Sequence, residues 1–249
     1  MNLSLAGKTA LVTGGSRGLG AAIACALADA GADVAVSYVS APDKAAGVVR
    51  EIHARGRRAV AYRAEQSDAV QVAQLVDSVV ADLGGLDILV NNAGVAAYGA
   101  LGDESVDQPT LDRVREINVD GVIAAIRAAA GVLGDGGRII TVGSTLAARA
   151  STAGVADYAA SKAAVIGYTK GAARDLAPRG ITANVVQAGA FATDMNPSDG
   201  PTADQQRSWN PMGRFGRPEE LAAGVVFLAG PGASYITGTV LTIDGGALA

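Results

Sequence analysis

The chain has one cysteine, Cys25, and one histidine, His53, so it has no material for a disulfide framework or a typical metal centre. Cys25 stands among alanines and reads as a small core residue. His53 sits between Arg50, Glu51 and Arg55 and reads as a solvated position on a charged helix. Aromatic residues make up only 4%, so any core is built from small aliphatic side chains. There is no long basic run and the net charge is −4, which argues against nucleic acid or an anionic membrane as partner. No apolar run reaches the roughly 18 residues that span a bilayer. The opening Met1–Lys8 has neither the charged region nor the apolar centre of a signal peptide, so a cytoplasmic protein is expected.

What the chain has in quantity is Ala, Val and Gly, within 249 residues that are 49% hydrophobic. Short β-branched runs alternate with longer Ala-rich helical patterns. Strands are expected at Thr9–Thr13, Asp33–Tyr38, Ala59–Arg63, Asp87–Asn91, Arg138–Gly143, Thr182–Gln187 and Val240–Ile243. Helices are expected at Leu19–Ala30, Lys44–Arg55, Ala69–Leu83, Leu111–Leu133, Tyr158–Ala177 and Pro218–Ala229. Strands that are apolar throughout suit a parallel sheet covered on both faces. Repeated β-α-β units imply a doubly wound α/β fold with right-handed crossovers. No linker or repeat interrupts it, so one domain over residues 1–249 is expected. Residues 191–217 break the rhythm with Asn196–Pro201, Trp209, Pro211, Met212 and Phe215. A loop of this length reads either as a substrate lid or as a surface excursion with a small satellite core, and its Trp and Met content favours the lid.

The first strand runs into Thr13-Gly-Gly-Ser-Arg-Gly-Leu-Gly20, which opens directly into a helix. Gly14, Gly18 and Gly20 permit a tight turn and close approach of backbone to a pyrophosphate, while the helix offers free N–H groups and the positive end of its dipole. Ser16, Arg17 and Leu19 complete the turn. In an Ala/Gly-rich chain the same cluster could be an ordinary strand–helix turn, but its position after the first strand is where a dinucleotide crevice opens. An NAD site usually carries an acid at the end of the second strand, about 20 residues beyond the glycines. Here that strand ends Ser37-Tyr38-Val39-Ser40. Arg17 and Ser40 suit a phosphate instead, which points to NADP(H), unless Arg17 merely pairs with a surface carboxylate.

Tyr158 and Lys162 lie four residues apart on an expected helix, on one face. A free phenol has a pKa near 10 and is a poor proton carrier at neutral pH. A neighbouring ammonium favours the phenolate and is expected to bring the group down toward useful acid–base chemistry.

With these residues in place, the chain resembles the short-chain dehydrogenase/reductase family over nearly all its length. Thr13–Gly20 is similar to that family's cofactor turn, Asn91-Asn-Ala-Gly94 to its motif after the fourth strand, and Ile243-Asp-Gly-Gly246 to the close of its last strand. Asn118, Ser144, Tyr158 and Lys162 match its catalytic tetrad. The resemblance implies a single Rossmann-type sheet of about seven strands in the order 3-2-1-4-5-6-7. It implies that Tyr158 exchanges a proton with the substrate oxygen, Ser144 holds that oxygen, Lys162 lowers the phenol's pKa and bonds the nicotinamide ribose, and Asn118 anchors a water leading to Lys162. Each has a plainer rival: a strand-end serine, a buried helix asparagine, a solvated lysine. It further implies that Asn92, Ala93 and Gly94 line the cofactor near its ribose, that Glu65 and Gln66 flank the adenine, and that Gly189, Phe191 and Thr193 receive the nicotinamide amide and phosphates.

The chain departs from the family pattern at three points. Ala188-Gly189 replaces Pro-Gly and is expected to loosen a turn. Ser144 lies one residue further from Tyr158 than is common, which would select Thr145, but Ser144 directly follows the strand-end Val142-Gly143. The Gly134–Gly137 segment is not basic, although Arg174 and Arg179 lie further on, which weakens docking of an acidic carrier protein.

The expected protein is thus an NADPH-dependent carbonyl reductase, reversible to an alcohol dehydrogenase, acting on a small ketone or 3-oxo compound. Reduction of a 3-oxoacyl group on acyl carrier protein, and a non-catalytic NADP(H) sensor, are the alternatives. Val95–Tyr98, Leu146–Ala148 and the lid at 196–215 would shape substrate choice. The family resemblance also implies a homotetramer, with helices 121–131 and 159–173 as the packing faces.

Overall fold

The computed structural model describes residues 4–249. Residues 1–3, part of the opening segment read for a leader, lie outside the described residues. Seven strands form one parallel sheet: β1 (Thr9–Val12), β2 (Asp33–Tyr38), β3 (Ala59–Arg63), β4 (Ile88–Asn91), β5 (Arg138–Ser144), β6 (Thr182–Ala188) and β7 (Val240–Ile243). Their order is β3-β2-β1-β4-β5-β6-β7, as the sequence implied. Every ladder is parallel, with Val12 opposite Val36 and Val90 opposite Ile140.

Two apolar layers explain the uniformly hydrophobic strands. Along β1, Ala10 and Val12 face α1 (Gly18–Asp29), α2 (Pro42–Ala54) and α8 (Pro218–Ala229), whereas Leu11 faces the opposite layer. That second layer holds α3 (Ala69–Leu83), α5 (Gly121–Val132) and α6 (Ala156–Leu176). α3 starts where Asp68 accepts hydrogen bonds from the Val70 and Gln71 amides and stops at Gly84, which is left-handed.

The long helix expected over Leu111–Leu133 is not continuous α-helix. It begins earlier, as α4 (Gln108–Arg115), passes through a π-helical turn at Glu116–Asp120 and resumes as α5. Apolar spacing does not register the extra residue that a π turn admits. Gly121, directly after it, abuts Gln66, whose carbonyl oxygen would collide with any Cβ there. Cys25 also differs from expectation: it is half-buried, and its thiol bonds the Glu51 carboxylate at 3.4 Å. Burial, aided by that bond, pushes the thiol up to about 11. His53 is exposed, and its Nε2 accepts the Ala59 N–H.

Between β6 and α8, residues 191–217 include α7 (Ala203–Ser208). Among the described residues no helix is long and apolar enough to cross a membrane, and no group of three His, Cys, Asp or Glu side chains could hold a metal ion.

Candidate active site

A cleft of about 900 Å³ opens at the carboxyl ends of the strands, beside the point where the strand order reverses between β1 and β4. The turn after β1 is held from β4 and β2. Thr13 Oγ1 accepts the N–H groups of Asn92 and Ala93, both at 3.1 Å. Asn92 Nδ2 donates to the carbonyls of Thr13 and Gly14, and the Gly14 N–H donates to Ser37 Oγ at 3.1 Å. Gly14 has φ of +63°, and a Cβ there would lie 2.9 Å from Ala93 Cα, so only glycine serves.

Most of the residues selected from sequence converge here. Gly14, Ser16, Arg17, Gly18, Leu19, Gly20, Tyr38, Ser40, Glu65, Gln66, Asn92, Ala93, Gly94, Gly189, Phe191 and Thr193 all line the cleft, together with Ser144, Tyr158 and Lys162. Asn118 does not. It is buried in the π turn, where its Oδ1 accepts the Val95 N–H at 2.9 Å and its Nδ2 donates to Val95 O and Ser161 Oγ. Its side chain thus holds the chain segment behind the site, with both amide protons spent and one lone pair of Oδ1 still available to a water. Asn92, too, spends its amide on holding the glycine turn. Glu65 lines the cleft with its carboxylate held by Arg113 at 3.0 Å and by Ser67.

Ser144 faces Tyr158 closely enough for its hydroxyl to favour the phenolate, and Ser144 Oγ accepts the Leu146 N–H at 3.2 Å. Ser144 closes β5, and Thr145 begins the short 3-10 turn Thr145–Ala147. Lys162 is buried with its Nζ donating to Val142 O at 3.1 Å and lying 5.9 Å from the Tyr158 ring centroid. Gly94 makes room for it, since a Cβ there would stand 3.4 Å from Nζ and 3.2 Å from Asn118 Oδ1.

The expected lowering of the phenol is not what the geometry delivers. Burial pushes Tyr158 up to about 12, the Tyr98 phenol adds to the rise, and only the Ser144 hydroxyl opposes it. Burial likewise pushes the Lys162 ammonium down to about 8. With one N–H donated to Val142 O and Nζ 5.9 Å from the ring centroid, the ammonium does not outweigh desolvation of the phenol.

The bracing roles of Thr13, Ser37, Ser161 and Arg113 were not assigned from sequence, whereas Tyr98 falls in the Val95–Tyr98 stretch expected to shape substrate choice. Tyr98 packs edge-on against Tyr158, with centroids 6.1 Å apart and planes at 64°. Across the mouth, Asp194 of the 191–217 segment pairs with Lys44 of α2 at 2.8 Å. That segment is braced by reciprocal amide bonds between Asn196 and Gln206, both at 2.9 Å. The turn at Gly189 is not slack: its N–H donates to Ile243 O at 3.0 Å, and a Cβ would meet Asp244 Cα at 2.7 Å.

Known proteins share this arrangement. A family model described as enoyl-(acyl carrier protein) reductase matches residues 14–247. A cyclic-di-GMP-binding biofilm dispersal mediator protein of Escherichia coli K12 is 44% identical over 239 residues, covering 96% of each chain. A 3-oxoacyl-[acyl-carrier-protein] reductase of Staphylococcus aureus is 40% identical, covering 96% of this chain and 97% of its own. The crystal structure of a short-chain dehydrogenase from Burkholderia cenocepacia, in complex with NADP, superposes with a TM-score of 0.96 at 53% identity, covering 98% and 99% of the two chains. Matches of this extent, over a sheet in the expected order, show that the chain belongs to the short-chain dehydrogenase/reductase family of oxidoreductases.

Proposed function

We propose that the protein is an NADP(H)-dependent carbonyl reductase, reversible to an alcohol dehydrogenase, that acts on a small ketone or 3-oxo compound as a cytoplasmic homotetramer. The observation that carries the reading is the convergence of Ser144, Tyr158 and the buried Lys162 on the wall of a cleft built around a glycine turn.

The residues present fit a dinucleotide phosphate. Gly14, Ser16, Gly18 and Gly20 line the cleft where α1 begins, so free backbone N–H groups and the positive end of the helix dipole are available to an anion. Arg17 is exposed at the glycine turn, and β2 ends at Tyr38 with Ser40 beyond it rather than with an acid. Arg17 and Ser40 would hold the additional phosphate, and Asn92, Ala93, Gly94, Gly189, Phe191 and Thr193 would border the cofactor. The bound dinucleotide supplies or takes the hydride.

Everything else is the work of the side chains. Ser144 orients the substrate oxygen toward Tyr158. Tyr158, held protonated across the neutral range, donates its proton to that oxygen during reduction and takes it back in oxidation. Lys162, with a proton that burial makes easy to move, restores charge balance beside the phenol. Asn118 acts as a positioning residue by fixing Val95 and Ser161 behind them. Residues 191–217 form the lid.

The test is NADPH oxidation at 340 nm with ketones, 3-oxo esters and quinones. Turnover of free carbonyls is expected, and Tyr158→Phe should bind NADPH normally while losing nearly all rate. Turnover only of carrier-protein thioesters would favour the activity named for the Staphylococcus relative. Tight NADPH binding with no turnover would favour a non-catalytic sensor, the reading nearest the name of the Escherichia coli relative.

A further inference from the structure

Tyr98 belongs to neither the glycine turn nor the Ser144–Tyr158–Lys162 group, yet its ring lies against the reacting phenol. It stands on the long connection between β4 and α4, at 60% exposure and lining the cleft. The connection is pinned at this point. The Gly99 N–H donates to Gly154 O at 2.9 Å, so the loop carrying Tyr98 is fastened to the segment that leads into α6 and Tyr158. Edge-on contact with Tyr158 leaves a face of the Tyr98 ring free to meet whatever the phenol serves.

Charge narrows what that is. Of the cationic residues lining the cleft, Arg17 belongs to the glycine turn, Arg113 is paired with Glu65, and Lys162 is buried against Val142 O. The acids are also occupied, since Asp194 pairs with Lys44 and Asp244 accepts the Gly246 and Leu248 amides. Arg149 is exposed, lies outside the lining and donates to Ala247 O. Besides Tyr98, the lining carries the apolar side chains of Leu146, Met195 and Trp209. A carboxylate or phosphate on the substrate would lose its hydration there without gaining a counter-charge.

We propose that Tyr98 is a specificity-determining residue and that the preferred substrate is an uncharged carbonyl compound whose larger substituent is an apolar ring packed against Tyr98. This rests on the reductase reading above and names the substrate class for it. The ring of the substrate takes the free face of Tyr98, its carbonyl oxygen reaches Ser144 and Tyr158, and its smaller substituent faces the lid.

Three matched probes test it: methyl benzoylformate (aryl, neutral), methyl pyruvate (small, neutral) and benzoylformate (aryl, anionic). The wild-type protein should prefer the first over both others in kcat/KM. Tyr98→Phe keeps the ring and should hold the aryl-to-methyl ratio within about twofold, whereas Tyr98→Ala should cut it about tenfold, chiefly through KM. Unchanged NADPH affinity, read by fluorescence, shows that each variant is folded. An unaltered ratio in Tyr98→Ala, or benzoylformate reduced as well as its ester, would overturn the assignment. So would a wild-type protein that reduces other ketones but none of these three. If the wild type binds NADPH and reduces no carbonyl at all, the reductase reading itself fails.

Discussion

Lys162 is the residue that this fold holds at greatest expense. Its ammonium is buried beneath the cleft with one carbonyl for a partner, and its folded value of about 8 stands below the ordinary 10.5. At pH 7 that difference corresponds to on the order of 3 kcal/mol of destabilisation, against roughly 1 kcal/mol returned by the bond to Val142 O. The sign follows from proton binding: between the folded and unfolded values the unfolded chain holds the proton more firmly, so stability rises as pH climbs through that window. Lys162→Met should therefore raise the thermal midpoint at pH 7, with the gain shrinking toward pH 10, while abolishing carbonyl reduction. A variant less stable than wild type at pH 7 would contradict the assignment of cost. This residue was legible in sequence because four residues of spacing on a helix fix its side of the helix. The direction of the Tyr158 shift was not, because it depends on burial and on Tyr98, sixty residues away in sequence. Cys25 was misjudged for the same reason: its alanine neighbours in sequence say nothing of Glu51 across the helix pair.

Among the elements, the 191–217 segment and α2 are joined by an ion pair that closes across the cleft mouth, Lys44 to Asp194. Both side chains are more than half exposed, so the pair adds little to global stability, and its effect is expected on the opening of the proposed lid. The carboxylate is held below its ordinary range by the Lys44 bond and charge, with Arg17 contributing. Asp194→Asn should speed NADPH release several-fold in stopped-flow fluorescence at low salt, and the difference from wild type should fade as salt rises. Equal release rates at low salt would show that the lid closes without this latch. The seven strands were readable to within a residue at each end, since runs apolar on both faces have one meaning in a parallel sheet. The π turn at Glu116–Asp120 was not, since a helical pattern looks the same with one residue added to a turn. Nor was the rigidity of Gly189, which comes from Asp244 packing against it and not from local sequence.

For the whole molecule, the exposed face of α6 makes a definite demand. Ala160, Ala163, Ala164, Gly167 and Gly171 lie exposed along it, and a Cβ at Gly167 or Gly171 would meet nothing within 4 Å. Within one chain those glycines weaken the helix by up to about 1 kcal/mol each relative to alanine and gain nothing in return. The cost has a purpose if a second copy's helix approaches closely there, as the proposed tetramer requires. Light scattering should then give four times the chain mass, and Gly167→Trp should yield a smaller species with a lower thermal midpoint. The opposite result is equally clear. If the face is open in solution, Gly167→Ala raises the midpoint through helix propensity alone, Gly167→Trp leaves the mass unchanged, and the tetramer must be built on another surface or abandoned.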